Sequence, residues 1–440
     1  MPIKLIQGVF MKKQSLDTVV VGFALFAMFF GAGNLIFPPY LGVVSGEHWM
    51  LGFSGFIIAD VGLALLAILA AAKCDGDISR VLSRSGKTLS VILATAIMIC
   101  LGPLLAIPRT GATTFEMGIQ PIFGGFSPIL FSIIFFGLTL ILTIKPSKVI
   151  DIIGQYLTPA LLVALIFLII IGIISPLGNL NQPATIDAIF AEGIGQGYQT
   201  MDPLGAIALS AVVIMSLVQK GYTEESDKIK LTLRAGLVAG VALIIVYGGL
   251  TYLGSSVAHQ FKGVNSSDIN QTALIVSITE QLLGQPGKVV LAIIVSLACL
   301  TTSIGLVSAT AQYFTKLSNG KVKYETIVIA VCIFSAVVAN FGVSTIIKFS
   351  APILSIIYPA TIVLVLMTLF NNKIKNDNSF KCATYVALIV SVLTVLSSKG
   401  INVPFVNELP FAKLGFNWIL PVVIAGIIGN FIPAKSNVNS

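Results

Sequence analysis

The chain has 440 residues, 56% of them hydrophobic and only 10% charged, with a mean hydropathy of +0.98, far from soluble averages. This composition excludes a soluble enzyme and leaves room for roughly 12 helices of the ~20 residues a bilayer needs, so a single-span receptor is excluded too. Long continuous apolar runs likewise exclude a β-barrel, whose segments are short and alternating.

In chain order, the mildly apolar start contains a second candidate first residue, Met11, followed by Lys12 and Lys13. No small-residue cleavage site ends the next run, which therefore reads as a first transmembrane helix. Apolar runs fall at 16–42, 50–72, 88–117, 127–144, 149–175, 190–219, 231–256, 287–315, 324–341, 344–370, 381–397 and 414–433, predicting an all-α polytopic bundle of twelve spans. Residues 1–15 are a short N-terminus, 16–175 and 190–370 two sets of five helices, and 381–433 two additional spans. Between Val257 and Pro286 the amphipathic stretch Asp268 to Leu283 is too short to span and is expected to lie across one mouth.

The formal charge is +8, and its placement alternates along the chain. Lys12 and Lys13, then Lys73, Arg80, Arg84 and Lys87, then Lys145 and Lys148 precede or follow connections that carry no basic residue. Lys220, Lys228, Lys230 and Arg234, then Lys316, Lys321 and Lys323, then Lys373, Lys375 and Lys381 continue the alternation. The positive-inside rule places these loops and both termini in the cytoplasm. The net charge is thus a topology signal and not a nucleic-acid surface, and no obligate protein partner is evident.

Function is sought where backbone or charge is exposed inside the membrane, because both are costly there unless they line a cavity. In span one, Gly31-Ala32-Gly33-Asn34 can unwind the helix, leaving carbonyls on one half and amide donors on the other; small-residue helix packing is the competing reading. In span six, Pro203 disfavours helix at Asp202, predicting a break over Thr200–Pro203 with Asp202 either at a site or capping the second half-helix. Five spans separate the two breaks, the pattern of a 5+5 inverted repeat whose substrate lies between broken helices 1 and 6. In span eight, Thr301 and Thr302 follow Ala298 and offer hard oxygen ligands for sodium, or bond back to their own helix.

Three charges interrupt other spans. Arg109 and Glu116 lie seven apart in span three, and the Pro108-Arg109 pair predicts a kink that turns Arg109 to a cavity or gate. Asp60 in span two either meets a basic or hydroxyl partner or is protonated. The five cysteines are scattered and read as apolar fillers, and Gly86-Lys87-Thr88 is no phosphate loop because Val81 stands where its first glycine belongs. The histidines, His48 and His259, fall in loops, and no catalytic motif or metal cluster occurs. A channel is the rival to a carrier, although no filter-like reentrant segment is present.

The stretches Phe29 to Pro39, Leu101 to Gly111 and Gly197 to Leu204 resemble the bacterial branched-chain amino acid carrier proteins, the branched-chain amino acid:cation symporter family, over nearly the whole chain from Met11. The resemblance implies a leucine-transporter-type fold in the bacterial cell membrane and uptake of leucine, isoleucine and valine driven by sodium or, in some members, protons, with no further cofactor. By the same resemblance, Gly31 to Asn34 is the unwound element, and the amides of Ala32 and Gly33 receive the substrate carboxylate. Phe29, Gly31, Thr200, Met201 and Asp202 complete the substrate site. Ala27 and Phe30 carbonyls face Ala298, Thr301 and Thr302 across a sodium site, and Asn34 stands where a second sodium can bind, with no partner identified on spans six and seven. Phe29, Phe30, Leu101, Leu104, Ile107 and Leu204 are the expected apolar surroundings of an aliphatic side chain.

Overall fold

The computed structural model describes the backbone of residues 2–144 and 148–433, and their side chains except at 2–13, 148–158, 212 and 219. The side chains of Lys12, Lys13, Lys145 and Lys148, the alternative start at Met11 and the tail from residue 434 therefore lie outside the described residues.

Twelve spans follow one another, with no strand among the described residues. Span one is two half-helices, Pro2–Phe29 and Ala32–Ser45; span two runs from Trp49 to Ala72 through a π turn at Ile58–Gly62. Span three, Lys87 to Phe123, is interrupted by π turns at Cys100–Leu104 and Phe115–Ile119. Pro128–Ile144 and Lys148–Ile174 follow as spans four and five. Span six is again divided, Ile189–Thr200 and Asp202–Gln219, and span seven is Glu225–Ser256. The helix Gln271–Leu317 bends sharply at Gly284, whose φ of 64° is left-handed. The bend separates a loop helix up to Leu283 from span eight, in keeping with the short amphipathic stretch in the sequence. Tyr324–Ala339, Val343–Leu369, Asp377–Ser398 and Ile419–Phe431 complete the chain.

The predicted kink at Pro108 is corrected. Span three breaks earlier, at Gly102 (φ −86°, ψ −129°) and Leu105, and helix resumes at Ala106–Thr114. Pro108 thus falls in the first turn, where the missing N–H has no intrahelical acceptor to lose.

The second half of span one packs on spans seven, six and eight, and span two packs on both halves of span six. Span three packs on eight and nine, and four on nine. Close backbone approach between spans one and seven and between spans two and six depends on glycine: a Cβ on Gly42 would stand 1.9 Å from the Thr251 carbonyl oxygen, and one on Gly193 2.0 Å from that of Gly52. Lys228–Asp75 (3.1 Å), Lys316–Asp77 (3.0 Å), Arg84–Asp377 (2.6 Å) and Lys220–Asp17 (2.8 Å) gather the basic loops on one face. The exposed pairs contribute little stability and only Asp17 is buried, but together the four fix which loops share a face.

Candidate substrate and ion site

The two helix breaks meet. In span one the interruption is narrower than the motif predicts: Phe30 and Gly31 alone leave the helix, Gly31 being extended (φ −126°, ψ −162°), and Ala32, Gly33 and Asn34 already form the first turn of the second half. Asn34 turns its side chain back so that Oδ1 accepts the Gly31 amide at 2.9 Å. This local capping lets the helix restart so soon. The first-turn amides still point out of the helix without intrahelical acceptors.

In span six the break is a single residue, Met201, in the left-handed region (φ 67°, ψ 12°), an uncommon conformation for a side chain of this size. Asp202 begins the second half-helix with Pro203 in its first turn, but its carboxylate caps nothing. The capping reading of Asp202 is thereby corrected. Oδ2 instead accepts from Asn34 Nδ2 at 2.7 Å and from the Tyr247 hydroxyl at 3.4 Å, while Asn34 Nδ2 also donates to the Tyr247 oxygen. Asn34 therefore joins spans one, six and seven.

Beside this network lies a second buried carboxyl. Asp60, wholly inaccessible, sits in the π turn of span two, a local irregularity that often marks functional positions. Its Oδ1 accepts from Thr200 Oγ1 at 2.8 Å, the hydroxyl partner that the sequence left open, while Oδ2 is buried without a hydrogen-bond partner. Arg109 reaches in from span three, donating from Nη1 to the Gln199 carbonyl (2.5 Å) and from Nη2 to that of Thr200 (3.2 Å). These are the last carbonyls of the first half of span six, the partially negative end of that helix.

A cavity of about 40 Å³ lies among these groups. Asn34, Arg109, Thr110, Thr200, Asp202 and Thr302 form its polar lining, and Phe29, Leu101, Leu209 and Leu306 are among its apolar residues. Gly31, Ala32 and Met201 also line it; Gly33 lies instead beneath the Arg109 guanidinium. Of the expected apolar surroundings, Phe29 and Leu101 reach the cavity. Phe30 stacks on Phe26 and Tyr247 at 5.1 and 6.3 Å. Ile107 and Leu204 are fully buried, and neither they nor Leu104 belongs to the cavity lining.

A larger cavity, about 1160 Å³, runs from Asp75, Asp77, Lys220 and Lys316 on the basic face inward. Its lining includes all five residues of the expected sodium site, Ala27, Phe30, Ala298, Thr301 and Thr302. Thr301 Oγ1 donates to the Ala298 carbonyl at 2.9 Å, the back-bonding expected of a helical hydroxyl. Thr302 differs: its Oγ1 is buried without a partner, it lines both cavities, and it lies 3.6 Å from where a Cβ on Gly31 would stand. An orphaned hydroxyl on the wall of two cavities fits a hard monovalent cation, which oxygen donors satisfy.

The sequence did not single out Tyr247, although a tyrosine within the apolar run Leu243 to Leu250 is a readable signal. Nor did it single out Ser350 of span ten, whose hydroxyl donates to Gln199 Oε1 at 2.6 Å. In Asn34, the expected second-sodium ligand, Oδ1 accepts from the Gly31 amide while Nδ2 donates to Asp202 and Tyr247, on spans six and seven.

The profile of the branched-chain amino acid transport protein family matches residues 14–436. The chain is 35% identical over 426 residues to the branched-chain amino acid permease BraB of Bacillus subtilis (strain 168), with 94% of each chain covered. It is 38% identical over 432 residues to a protein of Staphylococcus aureus (strain USA300) named as a branched-chain amino acid carrier, covering 94% of this chain and 96% of that one. Two solved structures share the fold at low identity. A substrate-bound, outward-open Na⁺-coupled sialic acid symporter superposes with a TM-score of 0.62 at 15% identity, covering 95% of this chain and 90% of that chain. Mhp1 in its inward-facing conformation gives 0.61 at 13%, covering 93% and 90%. The broken first and sixth helices, the two meeting half-helix ends and the match along nearly all of its length establish that the chain belongs to the branched-chain amino acid transport protein family and has the leucine-transporter-type fold.

Proposed function

We propose that the protein is a secondary active symporter of the bacterial cell membrane that imports leucine, isoleucine and valine together with sodium, and catalyses no chemical reaction. The observation that carries this reading is the meeting of the two broken helices at Asn34 and Asp202, on a cavity with polar groups at one side and aliphatic and aromatic ones around it. The first-turn amides of Ala32 and Gly33 suit the substrate carboxylate, and Asp202 suits its ammonium. Phe29, Leu101, Leu209 and Leu306 suit a branched aliphatic side chain. Such a pocket admits all three amino acids, since one methylene changes affinity by about 1–3 kcal/mol.

Sodium is the favoured ion because the span-eight donors are uncharged hydroxyl and carbonyl oxygens with Thr302 Oγ1 unpartnered. With the basic loops and both termini cytoplasmic, the larger cavity opens inward in this conformation. Alternating access then follows from rocking spans one, two, six and seven against three, four, eight and nine. Proton coupling is the second reading, favoured by the neighbouring buried carboxyls of Asp60 and Asp202.

Displacement of radiolabelled leucine from detergent-purified protein tests the substrate class. Isoleucine and valine should compete within about tenfold of leucine, about 1.4 kcal/mol; glutamate and lysine should not compete. Absent leucine binding, or preference for a charged amino acid, contradicts the reading.

A further inference from the structure

We infer that Arg109, together with the first-turn amides of Ala32 and Gly33, forms the receptor for the α-carboxylate of the substrate, and thereby selects amino acids over the corresponding amines. The inference rests on the amino acid transport reading of this same site.

Arg109 is 4% exposed within a membrane span, where a charge is costly and marks a site or pathway when it is retained. Two carbonyls, Gln199 and Thr200, hold the Nη ends of its guanidinium, yet the group carries five N–H donors, and Nε is buried with no hydrogen-bond partner. An unsatisfied buried donor on a cationic side chain needs an acceptor. The guanidinium also lies directly against the restarted helix of span one, since a Cβ on Gly33 would stand 2.9 Å from Nη2. Two positive features, a guanidinium and a helix N-terminus, thus adjoin, and the carboxylate within electrostatic reach of Arg109, that of Asp202, is held by Asn34 and Tyr247. The Phe37 ring, 5.3 Å from the guanidinium carbon, covers part of the remaining surface.

The cavity completes the case. Arg109 is the one cationic side chain in its lining and Asp202 the one carboxylate, which is the charge complement of a zwitterion. Asp202 is fastened by Asn34 and Tyr247, and Arg109 by the end of span six, so both charges are held in place before ligand binds. The fork of an arginine matches a carboxylate better than a lysine point charge does.

The test compares leucine with leucinol, which keeps the side chain and ammonium but carries an alcohol in place of the carboxylate. In Arg109→Gln, leucine affinity should fall at least tenfold, about 1.4 kcal/mol, while leucinol affinity changes less than about threefold. Arg109→Lys, which keeps the charge and loses the fork, should retain part of the preference for leucine. Equal losses for the two ligands overturn the inference and leave Arg109 a helix fastener; wild-type protein that binds no leucine overturns the transport reading instead.

Because either substitution removes bonds inside the bundle, the wild-type chain supplies an independent measurement. It contains four arginines, Arg80, Arg84, Arg109 and Arg234, so with nitrogen-15-labelled arginine the Arg109 Nε signal is assigned by elimination using lysine at the other three. Leucine should shift that signal and leucinol should not. The same response to both ligands, or none to leucine, overturns the inference.

Discussion

Asn34 and Asp202, 168 positions apart, are joined by a 2.7 Å hydrogen bond from Nδ2 to Oδ2 that ties the break in span one to the break in span six. The same asparagine caps Gly31 and reaches Tyr247, so one side chain sets the geometry of three spans. Asn34→Ala would strand the Gly31 amide and remove one donor from Asp202. An unsatisfied buried group costs about 1–3 kcal/mol. The variant should lose several degrees of thermal stability in detergent and most leucine binding; wild-type values for both would show that the network does not organise the site.

Gly33→Ala tests the close approach above the restarted helix. An added Cβ would meet Phe37 Cε2 at 2.8 Å and Arg109 Nη2 at 2.9 Å, so the guanidinium must shift. Helix propensity is no obstacle, because Gly33 is already helical. Inserted, folded protein with leucine affinity reduced at least tenfold is expected, about 1.4 kcal/mol, as read by binding to purified protein. Unchanged affinity would place the substrate elsewhere.

Thr302→Ala removes the unpartnered hydroxyl between the two cavities. The sodium concentration for half-maximal leucine binding should rise severalfold, with binding partly restored at saturating sodium through reciprocal linkage. An unaltered sodium dependence would remove Thr302 from the ion site.

Glu116 fastens the end of span three remote from the basic loops to two other elements. Its Oε2 accepts from Thr272 of the loop helix at 2.6 Å and its Oε1 from the Val343 amide at the start of span ten at 2.8 Å. Glu116→Ala gives up both bonds to a carboxylate, each about 1.5–3 kcal/mol, and should loosen the packing at this end of the bundle. A cysteine at Ser344, which lines one cavity with Glu116, should then react several times faster with a maleimide. Equal rates would assign Glu116 a role in folding alone.

What the sequence made legible was local. Gly31-Ala32-Gly33-Asn34 and Asp202-Pro203 disclosed both breaks because glycine, proline and asparagine act on their own backbone. The extent of each break was not legible: Asn34 capping Gly31 shortens the first, and the left-handed Met201 confines the second to one residue. Pairings across the chain were equally hidden, since nothing near Asp60 announces Thr200, 140 positions away. The Pro108 signal misleads because a proline in a first turn costs a helix nothing, and span three breaks at Gly102 and Leu105 instead.

Sodium-coupled uptake of branched-chain amino acids is measured most directly as accumulation of radiolabelled leucine in proteoliposomes under separately imposed gradients. An inward sodium gradient at equal pH should drive leucine above its external concentration, and an inward proton gradient without sodium should not. Accumulation under the proton gradient alone, indifferent to sodium, would contradict the ion site at Thr301 and Thr302 and transfer coupling to the carboxyls of Asp60 and Asp202.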